Sequence, residues 1–337
     1  MKHQLLILSA VLIVTSIGVR LAGLARAFPV ADSVASAAVV VPMVSAPAIV
    51  ATTATPSVHL EPAPSQLTVR PMLPAAVERT LTNTSFIIVN NDTGEVLQER
   101  RSTEPVPLAS LTKLLAAIVV VDHVKDWEAV VEILPEDLRE GEKVVDPGNR
   151  IRFADLFAVT LIRSSNTGMM ALGRVVGLGS KQLAEEMNQV ATTIGLTTTV
   201  ITDPTGLTPT TVGTARDISI ILRKALERSE IRSVISRAEY SWPLYAPNGA
   251  ILQQKKVINT NELIHPNALG SGLTVEGGKT GFIPEAHYHV AIEAETAQHR
   301  RFIVVVLGAK TFDARFQEAK ALLEWASSIM PVPQNNT

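Results

Sequence analysis

The chain has no cysteine among its 337 residues. That removes disulfides, thiol nucleophiles, cysteine-held metals and a lipid-bearing cysteine, while leaving the redox compartment open. Aromatic residues are scarce, with Trp127, Trp242 and Trp325 the only tryptophans. No excess of either charge exists: the formal net charge is -2, so the balance gives no reason to expect a nucleic-acid partner. A phosphate-binding loop is missing as well. Gly277-Gly278-Lys279-Thr280-Gly281 sets a lysine among glycines, but it lacks both the spacing of Gly-x-x-x-x-Gly-Lys-Ser/Thr and the helix that must follow. His287 and His289 share a strand face by period two, yet no third ligand is at hand. Neither a metal nor another cofactor is expected.

At the amino end, Lys2 precedes a mostly apolar run from Leu5 to Val19, and Ala25-Arg26-Ala27 follows. A basic start, an apolar core and a small-x-small site read as a signal peptide over 1–27, cut after Ala27. The alternative is an uncleaved anchor. Fifteen helical residues span only about 22 Å, against about 30 Å of hydrocarbon, so an anchor has to extend through residues 5–24. Both readings put the rest of the chain outside the cytoplasmic membrane, in the periplasm or cell-wall space. Residues 28–76 are rich in Ala, Val, Pro, Ser and Thr, with prolines at 29, 42, 47, 56, 62, 64, 71 and 74. Neither a helix nor a central strand suits that spacing, so a linker is expected. A folded region is expected over 78–330, and a frayed tail over 331–337.

In the folded region, Phe86–Val89 and Glu95–Glu99 flank the turn Asn91-Asp92-Thr93-Gly94 and read as a hairpin. A helix follows to about Val124, too apolar for the surface. Residues 125–150 read as short strands and loops. A helical run through Ala158–Ile162 breaks at Arg163-Ser164-Ser165-Asn166 and resumes. Ser180 is expected to cap one later helix and Thr214 another, over 215–228. Thr274–Glu276, His289–Ile292 and Phe302–Leu307 read as strands, and a last helix starts at Asp313. Strands at both ends with helices between them imply an α+β fold: a mainly antiparallel sheet flanked by helices, with an inserted helical subdomain.

Three stretches carry chemistry. In Pro107-Leu-Ala-Ser-Leu-Thr-Lys113, Ser110 and Lys113 lie three residues apart at a helix start and so share a face. A hydroxyl beside an amine is a minimal nucleophile and base, provided burial or a nearby cation lowers the amine's pKa. The plain alternative is a helix-capping serine. Ser164 and Asn166 interrupt an apolar region, either as a capped junction or as a loop facing a cleft. Lys279, Thr280 and Gly281 follow a strand-like stretch; glycines beside them suit an edge strand that pairs with a peptide, and an exposed hairpin is the alternative.

Ser-x-x-Lys, Ser-x-Asn and Lys-Thr-Gly in that order resemble the signature of penicillin-binding proteins and serine β-lactamases. The flanks Asp203-Pro-Thr-Gly-Leu207, Thr214-Ala-Arg-Asp217 and Gly278-Lys-Thr-Gly281 are similar to the low-molecular-mass D-alanyl-D-alanine carboxypeptidase and endopeptidase family, over about residues 80–330. The resemblance implies a β-lactamase/transpeptidase-like fold and a serine DD-peptidase acting on peptidoglycan stem peptides, with β-lactams as covalent inhibitors. It implies Ser110 as the acylated nucleophile and Lys113 as its base. It further implies Ser164 as a proton relay, Asn166 as a holder of the substrate amide, and Lys279, Thr280 and Gly281 as substrate-binding residues. The oxyanion hole is expected from the N–H of Ser110 and one at residue 281 or 282. Lys113 and Lys279 are expected to depress each other's pKa.

The chain departs from the family pattern in three places. The family often has Gly where Ser165 stands and Asp-Ala where Thr167-Gly168 stands; the effect is expected away from the reacting atoms. No all-β second domain is read after Trp325, which tips the expectation toward the endopeptidase branch. Gly278 replaces a larger apolar residue and is expected to loosen the cleft. The other readings are a β-lactamase, for which no deacylating base is placed at Glu136, Glu140 or Glu142, and a non-catalytic wall-binding protein.

Overall fold

The computed structural model describes residues 71–329 apart from Asn83, Glu142, Asn267 and Ser271. The expected signal or anchor segment, the linker up to residue 70 and the tail 331–337 lie outside the described residues. Among the described residues, no helix is long and apolar enough to cross a membrane. Ordered structure begins before the expected boundary at 76: Leu73 is buried, and Pro74 stands directly before the first helix. Proline is tolerated at a helix start, where its missing N–H has no partner to lose.

The chain opens with α1 (Ala75–Thr80), β1 (Ser85–Asn90), β2 (Val96–Arg100) and β3 (Val106–Pro107). The helical part follows as α2 (Thr112–His123), β4 (Val130–Glu132), β5 (Arg150–Arg152), α3 (Phe153–Ile162), α4 (Asn166–Val175), α5 (Ser180–Thr193), β6 (Val212–Gly213), α6 (Ala215–Leu226) and α7 (Ser229–Ile235). The last part holds β7 (Glu239–Tyr245), β8 (Ile251–Ile258), β9 (Leu273–Ile283), β10 (His287–Thr296), β11 (Arg301–Ala309) and α8 (Phe312–Ile329). Five strands form one antiparallel sheet in the order β2-β1-β11-β10-β9. The first and last described strands therefore pair in its interior, with Ser85 opposite Leu307 and Asn90 opposite Phe302.

Period two sorts the sheet into two cores. Phe86, Ile88, Val304 and Val306 face α8, while Ile87, Val89, Ile303 and Val305 face the helical part. α2 is the centre of that second core; it buries nine residues, Thr112 to Val120. Each fully buried Leu, Ile or Val there contributes about 1.5–3 kcal/mol, which explains why so apolar a helix is not on the surface.

Local signals mostly decide the helix ends. Asn90 closes the first hairpin by accepting from the N–H groups of Asp92 and Thr93. Thr214 caps α6 by accepting from the Asp217 N–H at 3.0 Å, a bond worth about 1 kcal/mol. Ser180 does not cap α5. Gly179 holds the cap position, and its N–H goes to the Gln182 side chain at 3.2 Å. The β7–β8 hairpin, which stands outside the main sheet, has no counterpart in the sequence reading.

Candidate active site

Ser110 sits in one turn of 3-10 helix, Ala109–Leu111, that runs straight into α2. Its hydroxyl caps nothing, because α2 has no side-chain cap. Lys113, one residue into α2, is wholly buried. Its Nζ lies 2.8 Å from Ser110 Oγ, 2.5 Å from Asn166 Oδ1 and 2.7 Å from the Thr205 carbonyl oxygen. Burial pushes this amine down to about 7, against an upward pull from Asp203.

The loop before Ser110 is clamped from both sides. Ala109 has φ 48, a left-handed conformation that a side-chain-bearing residue adopts only when its surroundings impose it. On one side lies Gly206, with φ 78; a Cβ there would fall 1.8 Å from the Ala109 carbonyl oxygen. The Gly206 turn is fixed by Asp203, whose carboxylate accepts from the N–H groups of Thr205, Leu207 and Thr208 and from the Thr205 hydroxyl. On the other side lies Gly281 of β9, where a Cβ would come within 3.2 Å of Ser110 N. Glycine at 281 thus lets an edge strand approach the Ser110 N–H.

Ser164 joins α3 to α4 with φ 66, and its Oγ accepts from Lys279 Nζ at 2.8 Å. Asn166 opens α4; its Nδ2 donates to the Glu140 carbonyl at 2.6 Å while its Oδ1 meets Lys113. Both ends of that amide are engaged within the protein, so Asn166 holds Lys113 in place, and one N–H remains for another acceptor. Glu140 contributes its backbone here, not its carboxylate. Ser165 is buried and caps α4 through the Gly168 N–H at 3.0 Å. A Cβ on residue 168 would lie 2.1 Å from Thr160 Oγ1. The departures at 165 and 168 are therefore accommodated behind the site.

Lys279, 1% exposed, also donates to the Thr280 carbonyl at 3.0 Å. Its pKa lies well below the ordinary value, first through burial, then through the charges of Lys113 and Arg315. Burial is thus the first cause on both amines; the Lys113 charge also lowers Lys279, but Lys113 itself is lowered by burial alone, so the expected mutual depression runs in one direction only. Thr280 Oγ1 bonds to Thr260 Oγ1 at 2.6 Å. Gly278 does not leave a gap: a Cβ there would meet the Ala291 carbonyl at 2.6 Å and Asn261 Nδ2 at 3.1 Å. The expected loosening of the cleft gives way to a cross-strand carbonyl and a buried asparagine.

These groups share one cleft of about 820 Å³, in which Ser110, Ser164, Asn166, Thr280 and Gly281 line the wall. The sequence reading did not single out Arg315, which lines the same cleft from α8. Its guanidinium stands 4.3 Å from the Phe312 ring centre, 4.5 Å from Phe316 and 5.4 Å from Tyr288. Burial lowers it to about 10. The stretch containing it was legible only as the apolar face of a helix. His289 is a core histidine: Gly308 N–H donates to Nδ1 at 2.9 Å and Nε2 lies 2.9 Å from the Pro107 carbonyl. Burial takes it down to about 4, so the ring is neutral and donates to Pro107, three residues before Ser110.

The fold and these motifs have clear relatives. A D-alanyl-D-alanine endopeptidase of Pseudomonas aeruginosa is 29% identical over 252 residues, which cover 74% of this chain and 78% of that protein. The D-alanyl-D-alanine carboxypeptidase DacC of Escherichia coli is 31% identical over 258 residues, covering 72% of this chain and 60% of that protein. Among solved structures, the Streptomyces K15 DD-transpeptidase superposes with a TM-score of 0.67 at 24% identity, over 72% of this chain and 96% of its own, a likeness of fold. The family model of the D-alanyl-D-alanine carboxypeptidases, peptidase family S11, matches residues 72–311, and the chain belongs to that family.

Proposed function

We propose that the chain is a serine DD-peptidase that cleaves peptidoglycan stem peptides through an acyl-enzyme on Ser110, either trimming a terminal D-Ala or opening a D-alanyl cross-link. The observation that carries this reading is the buried Lys113 amine 2.8 Å from Ser110 Oγ, with its other two directions taken by Asn166 Oδ1 and the Thr205 carbonyl. A neutral amine that donates to those two acceptors keeps its lone pair for the Ser110 proton.

Ser110 Oγ then attacks the carbonyl carbon of the penultimate D-Ala. The N–H of Ser110 and an N–H of β9 at residue 281 or 282 receive the oxyanion, as preorganised donors. The C–N bond breaks as the leaving amine takes a proton from Ser164, whose Oγ Lys279 Nζ holds at 2.8 Å; the proton that Lys113 took from Ser110 replaces the one Ser164 gives, so that none is lost or gained. Water hydrolyses the ester in a second, easier step. β9 is an edge strand of the sheet among the described residues, so a substrate backbone can add to it as a further strand. Thr280 and Arg315 supply a hydroxyl and a cation to the substrate's carboxylate. The site of action is the periplasm or cell-wall space.

The test is digestion of two defined substrates, a pentapeptide ending in D-Ala-D-Ala and a cross-linked dimer. Release of D-Ala marks the trimming branch, and separation of the dimer marks the endopeptidase branch. Survival of both substrates contradicts the proposal.

A further inference from the structure

His289 lies on β10 directly opposite Gly281 of β9, so the two positions share one face of the sheet. That face meets the Ser110 turn: a Cβ on Gly281 would come 3.2 Å from Ser110 N and 3.3 Å from the Leu108 carbonyl oxygen. The imidazole is wholly buried there. A bulge aims it. The β10–β11 register slips between Tyr288 and Val290, which stand opposite Ala309 and Val306, so Leu307 and Gly308 together face His289. Gly308 takes φ 84 and turns its N–H onto Nδ1 at 2.9 Å. An N–H can only donate, so Nδ1 is the bare nitrogen and Nε2 carries the proton. A carbonyl can only accept, and Nε2 lies 2.9 Å from that of Pro107. Both partners therefore demand the same tautomer.

Pro107 belongs to the segment that delivers Ser110. Away from the main sheet, β3 is held to β6: Pro107 stands opposite Val212, and the Leu108 N–H donates to the Thr211 carbonyl at 2.9 Å. Toward the main sheet, the His289 ring supplies a directed bond. Ala109 then turns into φ 48, and Ser110 arrives against Gly281. The separation between the Ser110 N–H and β9 is thus braced by a strut anchored on β10, the strand next to β9.

Resting on the DD-peptidase reading, we propose that His289 is a positioning residue for acylation: its bond to the Pro107 carbonyl sets how far the Ser110 turn stands from β9, and so the spacing of the two N–H groups that receive the oxyanion. Such donors act only where the oxyanion will form, so their spacing enters the rate directly. The ring does not line the cleft and acts through Pro107. Lys113 is held separately, by Ser110, Asn166 and Thr205. Loss of the strut therefore moves the nucleophile's turn and leaves the surroundings of the base in place.

The experiment uses the full-length chain and two variants that separate the ring's two bonds. In His289→Asn the amide sits where Nδ1 was, so an acceptor for Gly308 remains and the reach to Pro107 is lost. In His289→Gln the amide sits near the place of Nε2, so a donor to Pro107 remains. Acylation by a penicillin is followed across pH 5–10, and the rate is taken per molecule that finally forms the adduct. Unfolded protein then lowers the yield and not the rate. The plateau rate of His289→Asn is expected to fall about 10–100-fold, with the rise through about pH 7 kept because Lys113 keeps its surroundings. His289→Gln is expected to stay close to wild type. A wild-type rate in His289→Asn overturns the inference. Equal slowing of both variants overturns it too, since the Gly308 bond or the packing then sets the rate. A pH midpoint that moves in His289→Asn overturns it by showing that Lys113 is the group disturbed. A variant that forms no adduct at all makes His289 a residue of the fold alone and overturns it as well. All of these leave the DD-peptidase reading standing; a wild type that forms no adduct overturns that reading, and this inference with it.

Discussion

Lys113→Met is expected to slow acylation of Ser110 by a penicillin about 10²–10⁴-fold. Methionine keeps much of the buried volume of the lysine stem, so the change removes the base without opening a large cavity. It also leaves Asn166 Oδ1 and the Thr205 carbonyl without the Nζ they now share. Each orphaned acceptor costs about 1–3 kcal/mol, offset by no longer burying an ionisable amine. The melting temperature is therefore expected to move little, and the rate to fall far. The pH profile of the wild type follows the same logic. The neutral amine is the proton acceptor, and burial sets its pKa at about 7. Acylation is expected to rise as pH climbs through about 7 and to level above it. An unshifted lysine near 10.4 would leave only about one amine in 2,500 neutral at pH 7, and its profile would keep rising to pH 10. Stopped-flow acylation across pH 5–10 separates the two, and a flat profile removes Lys113 from the role of base.

Gly206→Ala is expected to cut the same acylation rate more than 100-fold while Ser110 and Lys113 are untouched in sequence. The added methyl would fall 1.8 Å from the Ala109 carbonyl oxygen and 2.9 Å from Thr112 Oγ1, and φ 78 is itself unfavourable for alanine. The carbonyl is backbone, so it yields only if the Ala109–Leu111 turn moves. Displacement of about 1 Å is enough to cost 10²-fold in a site that depends on alignment. The strain lowers stability by about 1–3 kcal/mol as well. Penicillin acylation and thermal melting, measured together, check the prediction. A variant that acylates at the wild-type rate would show that the clamp on Ala109 does not set the geometry of Ser110.

Gly206 also shows where reading the sequence stops. The turn Asp203–Leu207 is legible from its Asp, Pro and Gly, but that its carbonyl reaches Lys113, 92 residues away, is a tertiary fact. The same holds for Arg315. Its stretch reads as an amphipathic helix, and only the packing of α8 against β10 brings the guanidinium beside Tyr288 and the cleft. Elements with strong local signals were legible. The period-two strands Phe86–Val89 and Phe302–Leu307 form as expected and pair with each other, and Thr214 caps its helix. Ordered motifs single out Ser110, Lys113, Ser164, Asn166, Lys279, Thr280 and Gly281 as candidates, and the structure brings them together in space. Weak signals failed. The β7–β8 hairpin alternates poorly, with exposed residues along most of β8. Ser180 looks like a cap, yet Gly179 and Gln182 satisfy the first turn without it.

The account stands or falls on Ser110 as the nucleophile. The most direct measurement is the intact mass of the full chain, wild type and Ser110→Ala, after incubation with a penicillin. The account predicts a one-to-one covalent adduct that persists on the wild type, maps to the peptide containing Ser110, and is absent from the variant. An adduct of equal yield on both proteins, or none on the wild type at saturating drug, would contradict it.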